Sequence, residues 1–161
     1  MPADRLALES ALADDLRAMN AESDRIGRHF AARHDVTVND FRALLYVTVA
    51  ETAGTPLTAG ELRRLLGLSG AAITYLVDRM IDAGHFRRES DPADRRKVIL
   101  RVADRGMAVA RGFFAPLGRH THRALAGLPD AELAAAHRTF TALIDAMRAF
   151  GAELDGGATS S

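Results

Sequence analysis

The sequence predicts a mostly α-helical fold with one small β-hairpin. Three observations carry this. Apolar residues recur at spacings of three and four over most of the chain. Near the middle, two short helical segments meet at a glycine, each opened by a hydroxyl residue suited to capping. A single pair of β-prone runs follows them, separated by a polar, basic tip. The order is helix, helix, helix–turn–helix, hairpin, helix, helix, without internal repeat.

The first helix is expected from Asp4 to Arg33. Leu12, Leu16, Met19, Ile26 and Phe30 form one apolar stripe, with Ser23 in the position that would complete it. Thr37 can cap a second helix, with Asp40 three residues on, and Phe41, Leu44, Leu45 and Val49 supply its buried face. Gly54, Thr55 and Pro56 end it. Thr58 and Glu61 form a capping box for a short helix carrying Leu62, Leu65 and Leu66, which Gly67 can stop. Ser69 caps the next helix, whose apolar face is Ile73, Leu76, Val77, Met80 and Ile81 and which Gly84 closes.

Phe86 to Ser90 and Lys97 to Val102 read as the two strands of a hairpin, with Asp91, Pro92, Ala93, Asp94, Arg95 and Arg96 between them. A helix follows from about Arg105 to Ala126, where Gly112, Pro116 and Gly118 predict a kink or loosening. Pro129 sits at the start of the last helix, with Asp130 and Glu132 in its first turn. Leu133, Ala136, Phe140, Leu143, Met147, Phe150 and Leu154 then alternate spacings of three and four, a heptad seam. Such a seam is buried either within one chain or against a second copy. The expected organisation is an N-terminal helix over residues 1–36, a central lobe over 37–103, C-terminal helices over 104–155 and a disordered tail over 156–161.

Composition narrows the function. Charged residues make up 26% and no apolar run approaches a membrane span, so no membrane partner is expected. The segment from Met1 to Arg17 carries four acidic residues and does not read as a signal peptide, which leaves the cytoplasm as the expected location. There is no cysteine, which removes disulfides, thiolate metal sites and thiol redox sensing. His29 and His34, and His120 and His122, are not spaced to place two imidazoles on one helical face, and no metal site is expected. No phosphate-binding glycine loop, nucleophile elbow or zinc-protease motif is present, so neither an enzyme nor a cofactor is expected.

Net charge is zero, but its distribution is uneven. From Leu57 to Arg101 there are nine basic and six acidic residues, a basic middle between acidic flanks. Two short helices joined by a tight turn, followed by a hairpin with arginines at its tip, make a winged helix-turn-helix. A helix fits the major groove of double-stranded DNA, and arginines on a hairpin suit the negative potential of a minor groove. On the second short helix, the apolar face leaves Gly70, Ala71, Thr74, Tyr75, Asp78 and Arg79 outside. Ser69 and the free N–H groups of that helix start suit a phosphate, and Gly70 and Ala71 allow close approach. Thr74 and Tyr75 suit base contact, and Arg79 either reaches a phosphate or pairs with a nearby acid. On the hairpin the candidates are Asp94, Arg95, Arg96 and Lys97. A winged helix that docks another protein instead is the alternative, and the cationic wing speaks against it.

Ser69, the run Leu76, Val77, Asp78, Arg79, then Gly84 and the wing motif Asp94, Arg95, Arg96 resemble the multiple antibiotic resistance regulator (MarR) family. The resemblance covers nearly the whole chain. It implies a homodimer joined by the first and last helices, with Leu12, Leu16, Phe140, Leu143, Met147 and Phe150 as candidate interface residues. It also implies a transcriptional regulator, commonly a repressor, that reads a pseudo-palindromic operator and responds to a small aromatic or phenolic ligand. Arg25, Arg28, His29 and Phe30 either line such a ligand pocket or form a solvated face. Two departures stand out. Tyr75 occupies a position where family members often carry arginine. After the wing, the family's Leu-Thr-x-x-Gly is Val102, Ala103, Asp104, Arg105, Gly106, so Asp104 is the expected substitute cap.

Overall fold

The computed structural model describes residues 2–34 and 36–157. Six helices and two strands follow in the expected order: α1 (Pro2–Arg33), α2 (Val38–Thr52), α3 (Ala59–Leu66), α4 (Gly70–Asp82), β1 (Phe86–Ser90), β2 (Val98–Val102), α5 (Asp104–Leu125) and α6 (Asp130–Gly157). The chain divides into two compact units, one up to Ala115 and one from Pro116, so α5 contributes to both.

In the first unit, local chemistry fixes each helix of the central lobe. Thr37 caps α2 in a complete capping box with Asp40, and Thr58 caps α3 in a second box with Glu61. Ser69 caps α4 by accepting the Ala72 N–H. Gly67 ends α3 at φ 65°, a left-handed conformation that a Cβ would penalise. The core of the lobe is assembled from α2, α3, α4 and both strands: Leu44, Val47, Leu62, Leu76, Val77, Met80, Phe86, Leu100 and Val102 are buried together.

β1 and β2 pair antiparallel, with Phe86 opposite Val102 and Ser90 opposite Val98. β2 begins one residue later than the sequence reading, because Lys97 N–H bonds the Asp94 carbonyl and so belongs to the turn. The segment before α3 joins the sheet, an addition to the hairpin that the sequence reading lacks. Leu100 N–H bonds the Leu57 carbonyl at 2.7 Å, and Thr58 bridges Ile99. One bridging residue carries no period of two, so nothing in the pattern signals it. The contact ties the start of α3 to the wing.

Asp104 is the first helical residue of α5 and not its cap. The cap position falls on Ala103, whose carbonyl accepts the Met107 N–H and whose own N–H bonds the His85 carbonyl. Asp104 instead places a carboxylate in the first turn, where it suits the helix dipole. Gly106 is required there. A Cβ at that position would lie 2.3 Å from the His85 carbonyl oxygen, so α5 can cross this strand entry only without a side chain.

α5 runs unbroken through Gly112, Pro116 and Gly118, although the division between the two units falls at Pro116. On the first unit's side, Phe113 meets Phe30 and Phe41 edge-on at 5.1 and 5.0 Å, and Phe30 stacks on His34. In the second unit, α6 starts after Pro129 with Asp130 and Glu132 in its first turn. It extends to Gly157, past the expected limit at residue 155; residues 158–161 of the expected tail lie outside the described residues.

Candidate nucleic-acid interface

The α4 helix and the hairpin tip together present exposed polar and cationic groups. On α4, Gly70, Ala71, Thr74 and Tyr75 are exposed, as the apolar periodicity requires, and the Tyr75 side chain stands 67% accessible. The hydrogen bonds refine what each offers. Thr74 donates its hydroxyl to the Gly70 carbonyl, so outward it presents a methyl group and an acceptor. The Ser69 oxygen is engaged by Ala72 N–H, while its proton stays available to donate. Asp78 is bound by Arg88 at 2.7 Å, an ion pair between α4 and β1.

Arg79 resolves the choice the sequence leaves open. Its guanidinium pairs with the buried carboxylate of Asp40, 39 positions earlier, on the first turn of α2. The same guanidinium lies 4.9 Å from the centroid of the Tyr75 ring. The Asp40 hydrogen bond favours the charged form of Arg79, against the opposing effect of burial, and a Tyr75 hydrogen bond adds to it. Arg79 is therefore paired with an acid, while its side chain keeps 38% accessibility.

At the hairpin tip the carboxylates shape the turn and the cations are released by it. Asp91 accepts the Ala93 N–H at 2.8 Å, and Asp94 accepts the Arg96 N–H at 3.0 Å. Asp94 thus holds the loop through Oδ1 while remaining exposed. Arg95, Arg96 and Lys97 are exposed, and among the described residues none has an ion-pair partner. The other cations of the hairpin are committed: Arg87 to Glu89, Arg88 to Asp78, and Arg101 to Glu51 and Glu89. Arg63 and Arg64 on α3 are exposed as well. So the charge excess counted in the sequence resolves into a paired set that holds the lobe and an unpaired set on the wing and α3.

Behind α4, His85 is buried and its Nδ1 has no hydrogen-bond partner among the described residues. Burial pushes its pKa below the ordinary histidine value, and nearby Arg105 adds to that. His85 is therefore part of the packing. Among the described residues no group of histidines and carboxylates is placed to hold a metal ion. A cleft of about 410 Å³ opens between α1 and α2, lined by Arg28, Phe41, Arg42, Leu45, Tyr46 and Val49 among others. Of the four α1 residues considered for a pocket, Arg28 lines this cleft, Arg25 pairs with Glu22, His29 is exposed, and Phe30 joins the aromatic cluster.

The candidate interface residues for a second copy lie open. Leu12 and Leu16 on α1 are exposed and half-buried, respectively. On α6, Phe140 is 46% and Phe150 61% accessible, Met147 is exposed and Leu143 half-buried. The single chain does not enclose its heptad seam.

Comparisons with known proteins match this arrangement. The family model described as MarR family matches residues 34–97, the stretch from the start of α2 to the wing. The HTH-type transcriptional regulator YcgE of Bacillus subtilis is 42% identical over 66 residues, 41% of this chain and 43% of that protein. The match thus spans less than half the length of that relative. The multiple antibiotic resistance protein MarR of Escherichia coli is 24% identical over 110 residues, 68% of this chain and 74% of the relative. Among solved structures, a MarR family protein from Bacillus stearothermophilus superposes with a TM-score of 0.64 at 25% identity, covering 86% of this chain and 94% of the other. The segment from α2 to the wing thus matches the MarR family model, and the chain as a whole is similar in fold to a solved MarR family protein.

Proposed function

We propose that the protein is a homodimeric transcriptional regulator that binds double-stranded DNA through α4 and the wing and reads a pseudo-palindromic operator as a repressor. The observation that carries this reading is the wing: three exposed cations without ion-pair partners among the described residues, at the tip of a hairpin whose Asp91 and Asp94 each bond a backbone N–H of the turn. Such a group suits a minor groove or its phosphates. Next to it, α4 offers the Ser69 start to a phosphate and Thr74 and Tyr75 to base edges. Lysine is depleted at protein-docking surfaces, so Lys97 at the tip fits one poorly. The relative YcgE is itself described as an HTH-type transcriptional regulator, which supports the same reading.

The open seam of α6 supports a second copy, with two-fold symmetry presenting two α4 helices to two half-sites. The α1–α2 cleft supports a small aromatic or phenolic anion as the releasing ligand, because Arg28 and Arg42 stand beside the apolar walls of Phe41, Leu45 and Val49. No helix of the described residues is long and apolar enough to cross a membrane, in keeping with action on DNA in the cytoplasm.

The test is fluorescence anisotropy with duplexes selected from random DNA, over a range of salt concentrations. The affinity falls steeply with salt, by a log–log slope of about −0.9 per phosphate neutralised. Arg96→Ala binds more weakly and lowers that slope by about one, with the dimer intact. An affinity indifferent to salt sinks the reading.

A further inference from the structure

We infer that Asp40, acting through Arg79, is a specificity-positioning residue that holds Tyr75 in its DNA-reading orientation. The inference deepens the DNA-binding reading above and rests on it.

The geometry is a chain of three groups crossing two helices. Asp40 is buried on the first turn of α2 and its two oxygens are divided: Oδ2 accepts the Thr37 N–H at 3.4 Å, and Oδ1 accepts from the Arg79 guanidinium. A carboxylate anchored at both oxygens, in a capping box at a helix start, has little freedom. Arg79 is fixed in turn, with its Nε buried and its charged end reaching Asp40. Tyr75 sits one helical turn earlier on α4, and its ring lies against that guanidinium. Nothing else among the ring contacts of the described residues involves Tyr75, and the side chain is otherwise two-thirds exposed.

An exposed tyrosine on a helix ordinarily exchanges rotamers freely, and ordering it upon binding costs conformational entropy. A ring held beforehand against a fixed cation has part of that ordering done in the free protein. The arrangement also gives a use to an arginine at the edge of the apolar face of α4, half-buried against Asp40: its charge aims a neighbour. The wing cations then supply affinity without regard to sequence, and the Asp40–Arg79–Tyr75 line supplies discrimination.

The experiment uses the full chain and two variants. Asp40→Asn keeps an oxygen for the Thr37 cap and removes the charge. Arg79→Met keeps the stem and removes the guanidinium. For each, affinity is measured for a duplex selected by the wild type and for a scrambled duplex. The expected result is a loss of about tenfold in the ratio of the two, the size of one good base contact, with scrambled-duplex affinity and salt slope unchanged. A second readout needs no DNA. The chain has two tyrosines and no tryptophan, so in a Tyr46→Phe background Tyr75 is the sole strong fluorophore. Its time-resolved anisotropy is expected to show a larger fast component in both variants. An unchanged ratio, an equal loss for both duplexes, or unchanged Tyr75 anisotropy overturns the inference. Failure of the wild type to select any duplex overturns the DNA-binding reading, and the specificity role with it, even where the anisotropy shows that the latch holds Tyr75.

Discussion

The lobe from α2 to β2 and the helix α6 treat their apolar side chains in opposite ways. In the lobe, Leu62, Val77 and Leu100 are enclosed by the same chain. Along α6, Phe140, Met147, Phe150 and Leu154 are exposed, from 46% to 61%, although they repeat with heptad spacing. Enclosing a large apolar side chain is worth about 1.5–3 kcal/mol, so an uncovered row of four is a strong reason for association. The helix starts differ in the same sense. α2, α3 and α4 each have a side-chain cap, whereas α6 begins from the carbonyl of Pro129, which accepts the Glu132 and Leu133 N–H groups. The lobe encloses its apolar residues within one chain; α6 leaves its seam uncovered, as the proposed dimer requires.

That contrast is most sharply tested by emptying the core of the lobe. Leu62→Ala is expected to lower the free energy of unfolding by about 2–5 kcal/mol, because the side chain is fully enclosed and its neighbours on α2 and α4 cannot close the space. Denaturant titration followed by circular dichroism would measure it, and the loss should be the same at low and high protein concentration. A loss that varies with concentration would mean that the lobe, too, depends on a partner.

On α6 the expected response is of the other kind. Phe140→Glu places a charge in the seam and should convert the dimer to a monomer in sedimentation equilibrium, with helical content largely kept. The thermal midpoint of the wild type should rise with protein concentration, and that dependence should vanish in the variant. A variant that still sediments as a dimer would place the seam elsewhere.

The parts of the fold that were legible in the sequence are those specified by neighbours along the chain. Thr37 with Asp40, Thr58 with Glu61, Ser69, and Gly67 announce helix limits because the hydrogen bonds concerned span three or four residues. The wing was legible for a similar reason, since Asp91 and Asp94 fold the loop through bonds to residues two positions on. Val49, expected on the buried face of α2, is exposed, and the remaining differences involve distant partners. Nothing near Arg79 indicates that its acid is Asp40, and nothing near Leu57 indicates that it bonds Leu100. The sequence shows Asp40 only as a cap, which it is, while its second oxygen binds Arg79. Gly106 is intermediate: the sequence shows its place in the Leu-Thr-x-x-Gly pattern, but the reason for it, the His85 carbonyl, emerges only when α5 meets the strand entry.

The smallest effect expected concerns the cap that ties α3 to the sheet. Glu61 accepts the Thr58 N–H at 2.7 Å and the Thr58 hydroxyl at 2.9 Å. The backbone bond is the main reason its pKa lies below the ordinary glutamate value, with the hydroxyl bond, Lys97 and Arg64 adding to it against some burial. A carboxyl whose folded pKa is lowered binds protons more readily in the unfolded chain, so folding favours its ionised form. Its contribution is complete above the unfolded value, near 4.5, and is lost as pH falls from there through the lowered folded value. Glu61→Gln retains an acceptor for the box and removes the titration. Plotted against pH, the stability difference between wild type and variant should therefore be constant above about pH 5 and shrink steadily on acidification. The whole effect should stay within the roughly 1 kcal/mol typical of a helix cap, because the site is partly open to solvent. A difference that grows on acidification would show that Glu61 is held by the fold against its preference, and would move the anchor of α3 from its capping box to the Leu57–Leu100 bond.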